Sequence, residues 1–369
     1  MQTVIIGLRE VRIMQFTEKS KEHIDSCRFC WMCHHVCPIG NATGLERNTA
    51  RARALGLSLV AREAVEYSED IIGNVYECSL CGGCMTDCVT GWDPVMFTRE
   101  ARLGAALDGK LPDYVMTMIN NLMEKGNIYG IENENKIPEF PVTDTLLFIG
   151  EDTRAKSCAK NAAELLKKAG VEFTILKDEP NSGYSMDFLI GAAAETKAVM
   201  ENCAKVLNNY KKVICYDPAD AKVMKREYKE WGIDLKAEVV TFTSFVAELI
   251  KEGKLNLKKQ NLKFTPQDSP LLARDLEETE PIREILSACG EVNEMLLNRE
   301  YTMLAGNLIM NEYMPNVIKM VAENRWINAK NANAEILVTS SPAEYMMLNS
   351  TKPEGIELIT IEEAVLKCL

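Results

Sequence analysis

Helical spacing of apolar residues dominates the first third of the chain, and short apolar runs alternating with amphipathic stretches fill the rest. The stretch GLERNTARARALGLSLVAREAVEYSED is rich in Ala, Leu, Arg and Glu, which suits a helix of several turns. A second amphipathic stretch, PVMFTREARLGAALDG, places Pro94 at a first helical turn. A third helix is expected from Asp113 to Lys125. Residues 126–144 are rich in Gly, Pro and Asn without helical period, and read as a domain boundary. Beyond it come TLLFIG, a helix near 153–169, VEFTIL, a helix near 185–208, KKVICY and a helix near 219–231. Strands alternating with helices predict parallel βαβ units.

This second part also repeats. VICYDPADAKVMKREY and ILVTSSPAEYMML each place an apolar strand before x-Pro-Ala-acid and a helix. EVVTFTSFVAELI and IELITIEEAVLKCL each place a short strand before an amphipathic helix, in the same chain order. Two similar lobes follow, 145–254 and 260–369, packed as a pseudo-dimer. Neither holds a Gly-x-Gly-x-x-Gly or Walker loop, so no nucleotide is expected.

With 369 residues and 47% hydrophobic content, the chain has enough apolar material for two or three domains. No run approaches the roughly 20 apolar residues of a membrane span. A net charge of −12 argues against nucleic acid as a partner. One cationic patch, Arg47, Arg51, Arg53 and Arg62, runs against that trend. It reads either as a solvated helix face or as cationic support for a reduced metal group or an acidic partner. The opening MQTVIIGLREVRIM lacks the apolar core and cleavage site of a signal peptide, so a cytoplasmic location is expected.

Eight of the thirteen cysteines form two copies of one pattern. Cys27, Cys30, Cys33 and Cys37 read C-x2-C-x2-C-x3-C before Pro38, and Cys78, Cys81, Cys84 and Cys88 repeat the spacing before Val89. This is the ligand run of two-cluster bacterial ferredoxins, in which the fourth cysteine reaches the other cluster. The expected sets are Cys27, Cys30, Cys33 and Cys88 for one [4Fe–4S] cluster, and Cys78, Cys81, Cys84 and Cys37 for a second. Structural zinc favours two separated Cys-x-x-Cys pairs instead. Trp31, Met32, Met85 and Trp92 flank the cysteines, as water-excluding cover or as ordinary core. His34 and His35 lie inside the first motif as local hydrogen-bonding or exposed groups. Cys158, Cys203, Cys215, Cys289 and Cys368 share no ligand spacing and read as small buried apolar residues. The expected fold class is a multidomain α+β protein. A helical two-cluster ferredoxin domain (1–130) is followed by a linker (131–144) and duplicated α/β lobes with parallel strands (145–254 and 260–369).

CPIGNATGLERNTARARAL, ECSLCGGCMTDC and the turn Lys125-Gly-Asn-Ile-Tyr-Gly130 resemble the iron–sulfur subunits of glycolate oxidase and of anaerobic glycerol-3-phosphate dehydrogenase. The same family includes the disulfide-reducing subunits of heterodisulfide reductase. The resemblance implies two C-terminal repeats, each with a Cys-Cys-Gly and a later Cys-Pro-x-Cys. Here those positions fall on Asn181-Ser182-Gly183 and Asp217-Pro218-Ala219-Asp220 in the first lobe. In the second they fall on Leu304-Ala305-Gly306 and Ser341-Pro342-Ala343-Glu344. The turn-forming glycines and prolines remain, while the soft sulfur ligands that clusters need are gone. Asp217, Asp220 and Glu344 then read as caps and dipole partners at helix N-termini rather than ligands of a hard metal.

By this resemblance the chain is expected to be a non-catalytic electron-transfer subunit. It takes electrons from an FAD-containing dehydrogenase that oxidises a 2-hydroxy acid or small alcohol, and passes them to an acceptor protein or quinone. Any membrane association comes through partners. The alternative is a catalytic heterodisulfide- or quinone-reductase subunit, which the missing Cys-Cys-Gly cysteines disfavour.

Overall fold

The computed structural model describes residues 16–28, 30–132, 142–157 and 159–369. The opening segment, Cys158 and most of the expected linker lie outside the described residues.

The first part is helical, as its spacing predicts. Helix Pro94–Leu107 starts where Asp93 accepts a hydrogen bond from the Met96 N–H (2.9 Å), with Pro94 in the first turn. Helix Asp113–Lys125 has the expected bounds and stops at Gly126, whose φ of 73° is cheap only for glycine. The long helix expected in GLERNTARARALGLSLVAREAVEYSED is divided. A short turn at Glu46–Asn48 precedes helices Ala50–Ala61 and Glu69–Tyr76, because Thr49 and Ser68 each cap a new N-terminus.

Among the described residues, seven strands form two parallel sheets. The first has the order β1 (Thr145–Phe148), β2 (Lys212–Cys215), β3 (Glu238–Thr241). The second contains β4 (Lys263–Gln267), β5 (Glu291–Val292), β6 (Ile336–Thr339) and β7 (Glu357–Thr360), in the order β5-β4-β6-β7. Leu147 and Ile214 of the first sheet share one core with Phe264, Val338 and Ile359 of the second. The two sheets are therefore covered by common apolar packing, which excludes an exposed parallel sheet.

Three expected elements differ. VEFTIL is no strand: Thr174 makes one bridge to β1 at Leu146, and the chain then turns away. The departure brings the Glu179 carboxylate to the end of β1, where it accepts from Ile149 N–H (2.7 Å) and Gly150 N–H (2.9 Å). The helix near 153–169 is two helices, Glu151–Lys156 and Lys160–Lys168, with extended backbone at Ser157. The helix near 185–208 breaks at Gly191 into Tyr184–Ile190 and Ala194–Leu207. There φ is 59°, and a Cβ would sit 2.9 Å from the Arg99 carbonyl oxygen of the cluster-domain helix.

That close approach reflects a wider docking. The core of the helical part, with Leu57, Val75, Phe97 and Val115, continues into Phe188, Leu189, Leu308, Ile309, Ile318 and Val321. Tyr76 donates to the Leu189 carbonyl (2.7 Å), and Tyr313 donates to the Tyr76 carbonyl (2.9 Å). Helices that flank the two sheets thus brace the cysteine-bearing helices.

Candidate metal centre

The two cysteine motifs repeat in conformation as well as spacing. The residue after the second cysteine is left-handed in both, Trp31 at φ 71° and Gly82 at φ 73°. A short helix follows each, Met32–Val36 and Gly83–Thr86, which carries the third cysteine. Glycine adopts this turn freely, whereas Trp31 does so at a cost in strain.

Cys37, Cys78, Cys81 and Cys84 line one cavity of about 360 Å³. Cys27, Cys30, Cys33 and Cys88 line another of about 340 Å³. The fourth cysteine of each motif thus lies with the first three of the other. Cys37 reaches its place because it ends helix Met32–Val36 and caps helix Pro38–Thr43. The cavities differ modestly in depth. In the first, Cys37 and Cys78 are buried and Cys81 and Cys84 half-buried; in the second, Cys33 is buried, Cys27 and Cys88 half-buried and Cys30 exposed.

Among the described residues no three Cys, His, Asp or Glu side chains converge on a single metal ion. Four sulfurs around a larger volume are instead the donor set of a multinuclear cluster. Burial pushes the Cys33 and Cys84 thiols up, and Cys37 up to about 11. These sulfurs ionise when a metal replaces the proton, as thiolate ligands require. Arg53 lines the inner cavity, is 3% exposed, and has an Nε–H with no partner. A buried cation with a free donor at the wall fits an anionic group within. The residues therefore fit iron–sulfur clusters on donor chemistry and on charge.

The flanking residues divide. Trp31, Met32 and Trp92 line the outer cavity. Met85 lines neither cysteine cavity and faces an outer groove. His35 is exposed, and both His34 and His35 lie off the cysteine cavities. The cationic patch also separates. Arg47 pairs with Asp70 and Glu77, Arg51 with Glu46, and Arg62 with Asp25. Arg51 also lines the outer cavity, and among the described residues Arg53 alone of the four has no carboxylate partner. Cys203, Cys215, Cys289 and Cys368 are buried apolar residues of the sheet region.

Two arginines escaped the sequence reading. Arg102 donates to the Cys78 carbonyl (2.6 Å), and Arg274 donates to the Cys81 carbonyl (2.8 Å). Arg102 could have been noticed as a charge on the buried stripe Phe97, Thr98, Ala101, Ala105. Arg274 lies 193 residues from Cys81 and leaves no local signal.

The segments on which the resemblance would place cysteine motifs meet in space. Asp217 caps helix Pro218–Lys222 by accepting from Ala219 N–H (2.9 Å), as expected. Asp220 and Glu344 lie in the first turns of their helices, where an acid suits the helix dipole, and each also bonds across to the other segment of its lobe. Ser182 donates its hydroxyl to Asp220, and Glu344 accepts from Ala305 N–H (2.9 Å) and Gln267 (3.2 Å). Asp152, Asp217, Leu304, Gly306, Ser341 and Glu344 line a shared cavity of about 460 Å³, beside Ser79 and Cys81. Burial raises Asp217 to about 6 and Glu344 to about 8. Carboxylates there bond to a hydroxyl, a side-chain amide and backbone amides.

Comparison with known proteins agrees with this geometry. Residues 23–92 match the family described as 4Fe-4S dicluster domain. The chain carries an iron–sulfur domain of the 4Fe–4S class. Its homologues match the family that the sequence resembles. The probable iron-sulfur-binding oxidoreductase FadF of Bacillus subtilis is 30% identical over 70% of this chain and 41% of its own length. The chain thus spans about two fifths of that relative. A dihydromethanophenazine:CoB–CoM heterodisulfide reductase polypeptide of Methanosarcina acetivorans is 25% identical over 86% of this chain and 87% of its own. The corresponding Methanosarcina mazei polypeptide is 24% identical, with the same shares covered. Among the described residues no helix is long and apolar enough to cross a membrane.

Proposed function

We propose that this chain is an electron relay with two [4Fe–4S] clusters. Cys27, Cys30, Cys33 and Cys88 hold the outer cluster, and Cys37, Cys78, Cys81 and Cys84 the inner one. The observation that carries this reading is the sorting of eight cysteines into two cavities of nearly equal volume with the fourth ligands exchanged. Bound there, each cluster supplies reversible one-electron transfer at a potential set by charge, hydrogen bonding and exposure.

The protein's own groups set those conditions. Trp31, Met32 and Trp92 wall the outer site, with Cys30 at the surface for exchange with a partner. The inner site is closed by Pro38, Ile39, Ala50 and Pro94. The electron donor is a flavin-containing dehydrogenase that acts on a 2-hydroxy acid or small alcohol, and the acceptor is a further protein or a quinone. The two parallel sheets are a duplicated scaffold that has lost its metal ligands and now braces the cluster helices. The order β5-β4-β6-β7 supports this, since the edge bridge at Thr174 gives β1-β2-β3 a matching arrangement.

Anaerobically purified protein should contain about eight iron and eight sulfide per chain, with spin-coupled EPR signals on reduction. Zinc with little iron would sink the proposal. Co-purification with a flavoprotein supports the relay over a free carrier. Iron clearly above eight points instead to the reductase reading suggested by the heterodisulfide reductase relatives, in which the lobes hold a further cluster.

A further inference from the structure

One guanidinium, Arg53, lines the inner cysteine cavity and two more, Arg102 and Arg274, bond to the backbone of its cysteines Cys78 and Cys81; among the described residues none of the three has a carboxylate partner. Arg53 donates Nη1–H to the Asn48 carbonyl (2.9 Å) and leaves Nε–H free. The thiol of Cys37 reaches the same Asn48 carbonyl (3.4 Å), which places Arg53 against a proposed ligand. Arg102, wholly buried, donates only to the carbonyls of Phe188 (2.5 Å), Val75 (3.2 Å) and Cys78 (2.6 Å). Arg274 donates only to carbonyls, those of Glu300 (2.7 Å), Cys81 (2.8 Å) and Thr302. A Cβ on Gly83 would lie 3.5 Å from an Arg274 terminal nitrogen, so the guanidinium rests on the cysteine loop itself.

The outer cavity has no such surplus. Arg51 pairs with Glu46 (Nε···Oε1 2.7 Å) and covers the Trp31 ring at 4.2 Å. Arg28 is exposed, where water screens it. Reduction adds one negative charge to a cluster. An uncompensated cation in a dry site stabilises that charge far more than a paired or hydrated one.

Resting on the two-cluster reading above, we propose that Arg53, Arg102 and Arg274 make the inner cluster the higher-potential one, so that electrons entering at the exposed cluster collect beside the sheet region. Carbonyl-only bonding is central to this. Each guanidinium is fixed in place without a carboxylate bonded to it, Arg102 lying also over the Tyr76 and Phe188 rings. Arg102 and Arg274 also clamp the backbone of two proposed ligands, Cys78 and Cys81.

The test is an EPR redox titration of the full, anaerobically purified chain and of Arg53→Lys, Arg53→Met and Arg274→Met, each with its iron content. A soluble paramagnetic relaxer identifies the exposed cluster. The wild type should reduce its inner cluster first. Arg53→Met and Arg274→Met should each move the inner midpoint to lower potential and leave the outer one in place, while Arg53→Lys keeps most of the wild-type value. An inner cluster that titrates below the outer one overturns the proposal, as do unchanged midpoints in iron-replete Met variants. If Arg53→Met loses iron, the half-buried Arg274→Met decides by the same midpoint. A wild-type chain without iron–sulfur signals fails the two-cluster reading itself, a result that the iron assay separates from an unchanged potential.

Discussion

Cys37 and Cys88 end their own motifs but face the cavity of the other, so single substitutions should pair across the sequence. Cys88→Ala should lose about half of the iron and remove the same EPR signal as Cys27→Ala, while Cys37→Ala should behave as Cys78→Ala does. Signals that pair within each motif would sink the exchanged assignment. A second residue-scale prediction concerns Glu344, whose carboxyl burial raises to about 8 from an ordinary 4.5. Between those values the folded chain keeps a proton that the unfolded chain has released. Stability therefore falls as pH rises through this window. Glu344→Gln keeps an acceptor for Ala305 N–H and cannot ionise. Its melting temperature should drop less than that of the wild type between about pH 6 and about pH 8. Equal drops would show that Glu344 does not carry the dependence.

At the scale of elements, the breaks matter more than the helices. Gly191 separates two helices that the apolar pattern reads as one, because helix Pro94–Leu107 passes too close for a side chain. Gly191→Ala combines a left-handed backbone at φ 59° with a contact of 2.9 Å, and should destabilise the chain by about 1–3 kcal/mol. Thermal unfolding of the variant against wild type reads this, and an unchanged melting temperature refutes the packing account. Helix existence was legible from local spacing, and Asp113–Lys125 has the bounds that its spacing predicts. The loss of VEFTIL as a strand was not legible. It depends on Glu179 satisfying amides at the end of β1, a contact made 30 residues away in sequence.

Across the whole molecule, the cluster helices share a core with helices that flank the sheets, such as Tyr184–Ile190 and Pro315–Asn331, rather than meeting them at a polar seam. Tyr76, Arg102 and Cys81 bond to Leu189, Phe188 and Arg274 from the sheet region. A fragment ending near residue 132 would expose the apolar face around Phe97 and Val75 and lose Arg274 from the inner cysteine loop. Expressed alone, it should melt at lower temperature and bind less iron per chain than the full protein, with the inner signal lost first. A fragment with full iron and unchanged stability would show that the sheets are dispensable for the clusters.

The sequence by itself determined the chemistry of this protein. Eight cysteines at fixed short spacings specify a soft, multinuclear donor set, and that information is local because each motif is one turn of chain and one helix start. Tertiary structure decided what surrounds the donors. Arg274 meets Cys81, Glu344 meets Ala305, and Cys88 joins Cys27 only through folding of segments distant in the chain. Charge, dryness and hydrogen bonding at a metal site are long-range properties of the packed chain. They are therefore written in no motif.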